Sequence, residues 1–438
     1  MSTASAVASI GARLTSETFV CEHLGRHLVH VPLLATSLLV SPRMAALVGR
    51  LRQGPVVPRD AAEARGLARL RELGLIDGPS PPPPRSVLQE SPTEVSLFLT
   101  ERCNLRCVYC YARGGEGGRS MSPVVAESAL RRVLENARRL GAGRIGIHFH
   151  GGGEVSLVWD LLTRIARLAR DSAAAAGLGV RLSAGLNGVM SAERAAEVPR
   201  WLDEATLSCD GLPAVHDRQR PTAGGGPSAH LVERTMRVLD AAGFSYGLRV
   251  TLLPETVGRM SAGVEHLCRH SRARVIQVEP AFPLGRYGEG EPPDPWGFVA
   301  AFRAARQVAR SYGRELRYSG ARFPQVTDVF CQAVTGAFAV TVGGLVTSCF
   351  EATETDARFV YGHYDPATSG FSIDPHRHRA QLRRSVAHRA DCRDCIARYH
   401  CAGDCAMKAA AGGLPVRCVI NRELTKDAIL EDLGEALV

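Results

Sequence analysis

The chain has 438 residues, enough for a large core and two or three domains, and its 45% hydrophobic and 22% charged residues are those of a globular protein. Its net charge of +9, from 53 basic and 44 acidic residues, is mostly scattered arginine, as in "RRVLENARRL" at 131–140. Aromatics do not interleave with these runs, which argues against a nucleic-acid stacking platform, and no stretch approaches ~20 apolar residues, which excludes a membrane-spanning helix.

The first residues, "MSTASAVASIGARLTSE", lack the basic-then-apolar pattern of a secretion signal, so the chain is expected to be cytoplasmic. In that reducing compartment the thirteen cysteines are expected to be metal ligands or catalytic groups where they cluster. Residues 1–78 read as a small α+β unit. Residues 18–31 and 35–40 are strand-like; Ser41 and Pro42 open a helix; Leu67, Leu70 and Leu73 share one helical face. The polyproline run "PSPPPP" at 79–84 begins a stiff linker, 79–93.

From 94 to 315 the pattern is strand, loop, helix, repeated about six times. The strands are expected within 94–100, 144–150, 179–188, 204–211, 246–254 and 274–280. This predicts an α/β fold, a partial (β/α)6 barrel with right-handed crossovers and its active site at the C-terminal strand ends. A long helix is expected at about 294–313. Residues 316–438 are cysteine-rich and irregular, and read as a third unit held together by metal rather than by a large core.

The chemistry concentrates at those strand ends. Cys103, Cys107 and Cys110 are spaced C-x3-C-x2-C on the loop after the first strand. Three thiols leave one coordination position open, which suits an iron–sulfur cluster that binds a ligand at its fourth iron; zinc with a distant fourth ligand is the alternative.

"CNLRCVYC" at 103–110 resembles the signature of the radical S-adenosylmethionine (SAM) enzymes. The resemblance implies that a [4Fe-4S] cluster on these cysteines is chelated by SAM, whose cleavage yields a 5′-deoxyadenosyl radical, with Tyr109 near the adenine. "HGGGE" at 150–154 resembles the family's GGEP element. It implies Gly152 and Gly153 beside the cofactor's methionine end and Glu154 as acceptor for its ammonium, although Val155 stands where proline is usual. "LNG" at 186–188 implies a cofactor contact for Asn187. "LSCDGLPAVHDRQRP" at 207–221 resembles a stretch of the sulfatase- and peptide-maturase branch. It implies active-site roles for Ser208, Asp210 and Arg220, Asp210 as a catalytic residue. His216 and Asp217 read equally as loop caps, and Cys209 as a small core residue or as a hydrogen donor.

Cys331, Gly344, Cys349, Cys392, Cys395, Cys401, Cys405 and Cys418 resemble the seven-cysteine SPASM extension, which carries two auxiliary [4Fe-4S] clusters, three in all; a pair of zinc knuckles is the alternative. The resemblance implies an outer cluster on Cys392, Cys395, Cys401 and Cys418, and an inner one on Cys331, Cys349 and Cys405. The inner cluster then has an open iron or an oxygen ligand such as Asp328, with Glu351 as a base beside it. The family implies a maturase that cross-links a ribosomally made peptide. Formylglycine generation on a sulfatase, peptide epimerisation and a cluster protein without turnover are the alternatives. The expected partners are a precursor peptide, whose leader adds a strand to the N-terminal unit, and a flavodoxin or ferredoxin as electron donor.

Overall fold

A computed structural model describes residues 11–352, 358–410 and 412–434; the parts of the expected terminal units at 1–10 and 435–438 lie outside it. The N-terminal unit is an antiparallel sheet, β1 (Phe19–His23), β2 (Arg26–Val31) and β3 (Thr36–Val40), backed by α1 (Pro42–Gln53) and α2 (Ala61–Glu72). The Ser41 hydroxyl accepts from Met44 N and Asp60 accepts from Ala62 N and Glu63 N, so both helices start on a capping side chain. Leu67 and Leu70 pack with Leu47, Val48, Leu51 and Ile76 into a core separate from the barrel's.

The barrel follows as β4 (Glu94–Leu97), α3 (Pro123–Leu140), β5 (Arg144–Phe149), α4 (Trp159–Ala175), β6 (Gly179–Leu186), α5 (Ala192–Trp201), β7 (Glu204–Ser208), α6 (Pro213–Gln219), α7 (Ala229–Ala241), β8 (Tyr246–Leu252), α8 (Met260–His270), β9 (Val275–Pro280) and α9 (Pro295–Ser311). Short apolar strands such as β5, with Ile145, Ile147 and Phe149 fully buried, are covered by the apolar stripes of helices such as α4.

The sheet runs further than six units. β10 (Glu315–Arg317) pairs in parallel with β9, and β11 (Ala339–Val340) pairs in parallel with β4. The antiparallel strands β12 (Leu345–Thr347), β13 (Val360–Asp365) and β14 (Gly370–Ile373) extend the same sheet to eleven strands. The cysteine-rich segment is therefore built onto the barrel sheet, with Phe338, Val340, Val346 and Tyr361 in the barrel's own core. It ends in α10 (Pro375–Ala380), α11 (Arg398–Cys401), α12 (Ala406–Ala410) and α13 (Leu414–Asp432). Among the described residues no helix is long and apolar enough to cross a membrane.

The linker is pinned at its far end. Ser86 donates from its backbone N–H (3.0 Å) and its hydroxyl to Asp328, and Gln89 N donates to Thr335 O at 2.8 Å. Ser385 Oγ donates to the other Asp328 oxygen at 3.0 Å. Asp328 is thus a tie between the linker and the cysteine-rich segment, with both oxygens engaged, rather than the ligand suggested by its place before Cys331.

The N-terminal sheet docks on the C-terminal helices. Phe19 and Leu28 pack with Ile396, Ile429 and Leu430. His23, buried, lies 2.6 Å from Asp427 and 3.2 Å from Glu423 on α13; Arg303 of α9 also reaches Asp427 at 2.7 Å, and Lys426 pairs with Glu423. Burial disfavours the imidazolium, but hydrogen bonds to Asp427 and Glu423 outweigh it and raise the His23 pKa above the ordinary 6.5. The stabilisation is complete below 6.5 and lost as pH rises through the raised value. Hydrogen exchange in β1, corrected for intrinsic rates, is expected to accelerate on going from mildly acidic to alkaline pH. His23→Ala should exchange fast throughout and show no such pH step; equal steps in both proteins would refute the link.

Candidate active site

The cysteine loop leaves β4 and is clamped from four sides. At its base Glu101 N donates to Arg119 O and Met121 N to Leu99 O. On one flank Arg106 N donates to Pro221 O, Val108 N to Gln219 O and Ala223 N to Asn104 O, which ties the loop to the segment after α6. From the far side Arg286 N reaches Cys110 O at 2.9 Å and Arg286 Nη1 reaches Cys107 O at 2.7 Å. Gly285, at φ +57°, precedes that arginine; a Cβ there would collide with the carbonyls of Cys110 and Tyr111.

The fourth clamp is the glycine-rich end of β5. Gly153 N donates to Thr100 O at 2.7 Å and Glu154 N to Arg102 O at 2.8 Å. Gly152, at φ +74°, and Gly153 have no room for a Cβ beside the carbonyls of Thr100 and Arg102. These two glycines serve first to bring β5 against the cysteine loop.

Glu154 is 3% exposed, and its two oxygens accept from Ser156 N (3.0 Å) and Asn187 N (2.7 Å). Burial raises its pKa, and the two N–H groups offset part of that. Two acceptor sites stay free for a ligand's donor. The Asn187 side chain donates to Asn104 Oδ1 at 2.7 Å and accepts from Val189 N at 2.8 Å, with Cys103 Sγ 3.9 Å away. Asn187 thereby couples the end of β6 to the cysteine loop.

Asp210 follows β7, 2% exposed, and is a hub. One oxygen accepts from Thr251 N at 3.0 Å. The other accepts from the Tyr109 hydroxyl, from Gln219 at 2.7 Å and from Arg220 Nε at 3.0 Å. Arg220 lies over the Tyr109 ring, 5.1 Å from its centroid, and its Nη1 is 3.8 Å from Cys107 Sγ. With both oxygens engaged, Asp210 orients the Tyr109 hydroxyl and the Arg220 guanidinium beside the cysteine loop. Gln219 escaped the sequence reading because nothing in the motif distinguishes it from a helix-surface glutamine.

His216 accepts from Asp210 N at 3.2 Å and meets Ser228 Oγ at 3.1 Å; Asp217 caps α7 through Ser228 N and Ala229 N, both 2.7 Å. Both residues are structural. Ser208 closes β7, paired in register with Arg249. Cys209 is 2% exposed inside the barrel core, its thiol pushed up to about 12 by burial, so it is a core residue.

Burial also pushes the Cys107 thiol up to about 12, against the pull of Arg220, and raises Cys103. Buried thiols of this kind give up their protons to a metal rather than to water.

In the cysteine-rich segment the thiols form two neighbourhoods. Burial dominates the raised pKa of each, and smaller electrostatic influences show which thiols lie within range of one another. Cys349 feels Cys405 and Cys331; Cys395 feels Cys418, Cys418 feels Cys392, and Cys401 feels Cys395. Cys21 of β1 also lies within electrostatic range of Cys395, which the sequence did not suggest. Among the described residues no three Cys, His, Asp or Glu side chains converge as a single ion requires. A cubane cluster spaces its thiolates more widely, because each binds a different iron.

Arg417 joins the two halves. It is the largest fully buried side chain among the described residues. Its Nε donates to Asp404 at 2.7 Å, between Cys401 and Cys405, and its Nη1 lies 3.5 Å from Glu279 at the end of β9. Phe282, Tyr318 and Phe330 surround the guanidinium at 5.2 to 5.8 Å.

Residues 97–261 match the radical SAM superfamily. The chain is 27% identical over 172 residues to an uncharacterized protein of Methanocaldococcus jannaschii, covering 39% of this chain and 57% of that one. It is 34% identical over 146 residues to the GTP 3′,8-cyclase of Mycobacterium marinum (32% and 37%), and 23% identical over 201 residues to the sporulation killing factor maturation protein SkfB of Bacillus subtilis (45% and 45%). Each match thus spans less than two thirds of the relative's length. Among solved structures the fold is similar to anSMEcpe with bound AdoMet, at TM-score 0.61 and 16% identity, covering 78% of this chain and all of that one. It is also similar to Streptococcus suis SuiB bound to its precursor peptide SuiA, at TM-score 0.50 and 12% identity, covering 90% and 95%.

Proposed function

From a chain whose residues 97–261 form a radical SAM domain, we propose an enzyme that abstracts a hydrogen atom from a ribosomally made peptide and installs a carbon–carbon or thioether cross-link. When bound at Cys103, Cys107 and Cys110, a [4Fe-4S] cluster with SAM supplies a carbon-centred radical. The protein's own part is positioning. The Glu154 carboxylate, fixed by two backbone N–H groups, receives the cofactor's ammonium. Asn187 holds the Cys103 side of the loop, and Asp210 holds the Tyr109 ring and the Arg220 guanidinium on the Cys107 side. The two thiol neighbourhoods of the cysteine-rich segment would hold auxiliary clusters that carry away the electron left by an oxidation, to a flavodoxin- or ferredoxin-like acceptor and donor.

One observation carries the peptide reading: the N-terminal sheet is docked on the cysteine-rich segment and its β3 has a single strand neighbour, β2. An extended leader can pair along such an edge. SuiB bound to SuiA and anSMEcpe bound to a Cys-containing peptide support peptide as the substrate class. The test is anaerobic co-expression with the short peptides encoded beside this gene, followed by mass spectrometry. Loss of a hydrogen pair per site, located by fragmentation, is the expected result. An unchanged mass without deuterium uptake from heavy water would overturn the assignment to those peptides. Formylglycine generation, the alternative enzyme reading, would then be tested with sulfatase-derived peptides.

A further inference from the structure

The inner set of thiols is one short of the outer set. Cys349 has Cys331 and Cys405 within electrostatic range, and Asp328 is committed to Ser86 and Ser385. A different carboxylate stands among them. Glu351 lies two residues past Cys349, and its Oε1 pairs with Lys408 Nζ at 2.8 Å; Lys408 lies three residues past Cys405. Cys349 and Cys405 pack in one cluster with Ala352, Phe359 and Met407, so the ion pair joins the two segments that carry these thiols. Glu351 Oε2 is buried and, among the described residues, has no hydrogen-bond partner. A buried carboxylate oxygen without a partner costs free energy that an ordinary surface ion pair does not explain.

Glu351 is also an electrostatic neighbour of all three inner cysteines. Behind burial, its charge is the leading influence that raises the thiols of Cys349 and Cys405, and it raises that of Cys331 as well. Three thiols and one carboxylate make up four protein ligands, one for each iron of a cubane cluster.

We propose that Glu351 is the fourth protein ligand of the inner auxiliary cluster, its free Oε2 taking the iron that Cys331, Cys349 and Cys405 leave open. The inference rests on the reading of this segment as an iron–sulfur unit. Lys408 holds the opposite oxygen and so sets which face of the carboxylate is presented. The inner cluster then has no vacant iron for a substrate, and its role is confined to electron transfer.

The experiment uses the full chain with Cys103, Cys107 and Cys110 replaced by alanine, reconstituted anaerobically, so that only auxiliary iron is counted. This parent is expected to bind about eight irons in two clusters. After mild ferricyanide oxidation it should keep them, whereas adding Glu351→Gln should yield the electron paramagnetic resonance signal of a three-iron cluster and lose one iron per chain. Gln preserves shape and the hydrogen bond to Lys408, which guards against misfolding; Glu351→Ala should behave in the same way. Indistinguishable iron loss in parent and variants would overturn Glu351 as a ligand while leaving the clusters in place. A parent that binds no auxiliary iron would overturn the iron–sulfur reading itself, and the ligand with it.

Discussion

Replacing Cys107 by alanine is expected to cut 5′-deoxyadenosine release under dithionite by at least about a thousandfold, equivalent to about 4 kcal/mol of barrier. Cys107 is the middle thiol of the loop, and its sulfur faces the Arg220 guanidinium at 3.8 Å. Without it two thiols remain to hold a cluster, and the guanidinium loses one of its two anionic neighbours. The backbone clamps on the loop use main-chain atoms of Cys107 and Cys110, so the fold should survive. Iron content should fall by one cluster while the auxiliary iron stays. Undiminished release from the variant would refute the assignment of this loop to cofactor cleavage.

Arg417→Met is expected to destabilise the protein by ~3–5 kcal/mol at neutral pH. Methionine fills much of the same volume among Phe282, Tyr318 and Phe330, so lost packing is a small part of the effect. The larger part is charge. The variant leaves Asp404 buried without its cation and Glu279 with only the more distant Arg249 at 3.9 Å. Burial works to raise the Glu279 pKa, and Arg249 and Arg417 together hold it below the ordinary 4.5. In the native protein that carboxylate contributes stability above 4.5 and loses it as pH falls through its lowered value. In the variant Glu279 takes up a proton more readily, so the deficit should narrow on acidification. Chemical denaturation of holoenzyme at pH 7 and near pH 5 measures it. A variant as stable as the native protein at pH 7 would show that the buried guanidinium is not what joins the barrel to the cysteine-rich segment.

The six central strands were legible in the sequence because each is an apolar run bounded by turn residues, such as "RIGIHF" between Gly143 and the glycines at 151–153. β10, β11 and β12, at two or three residues each, carry no period that could announce them. For that reason the cysteine-rich segment read as detached when its strands continue the barrel sheet. Motif spacing pointed to the cysteine loop, Glu154 and Asp210, but not to the hydrogen-bond partners that hold them. The role of Asp210 depends on Gln219 and on a backbone N–H at Thr251, neither of which has a sequence signal. Arg417 is one of 53 basic residues until burial singles it out. The free oxygen of Glu351 is visible only once Lys408 is seen to occupy the other.

The pairing of β4 with β11 has a consequence for how the chain is made. β4 acquires its first neighbour, β5, about fifty residues downstream, but its second only after a further ~190 residues have been synthesised. Until then the strand that leads into the cysteine loop presents an open edge, the kind that recruits stray strands from other chains. A fragment cut at the borders of the matched superfamily region, 97–261, retains only Leu97 of β4, so β5 becomes the open edge, and it also lacks β9, which covers the other side of β8. The segment that matches the superfamily is, in this protein, shorter than the sheet it belongs to.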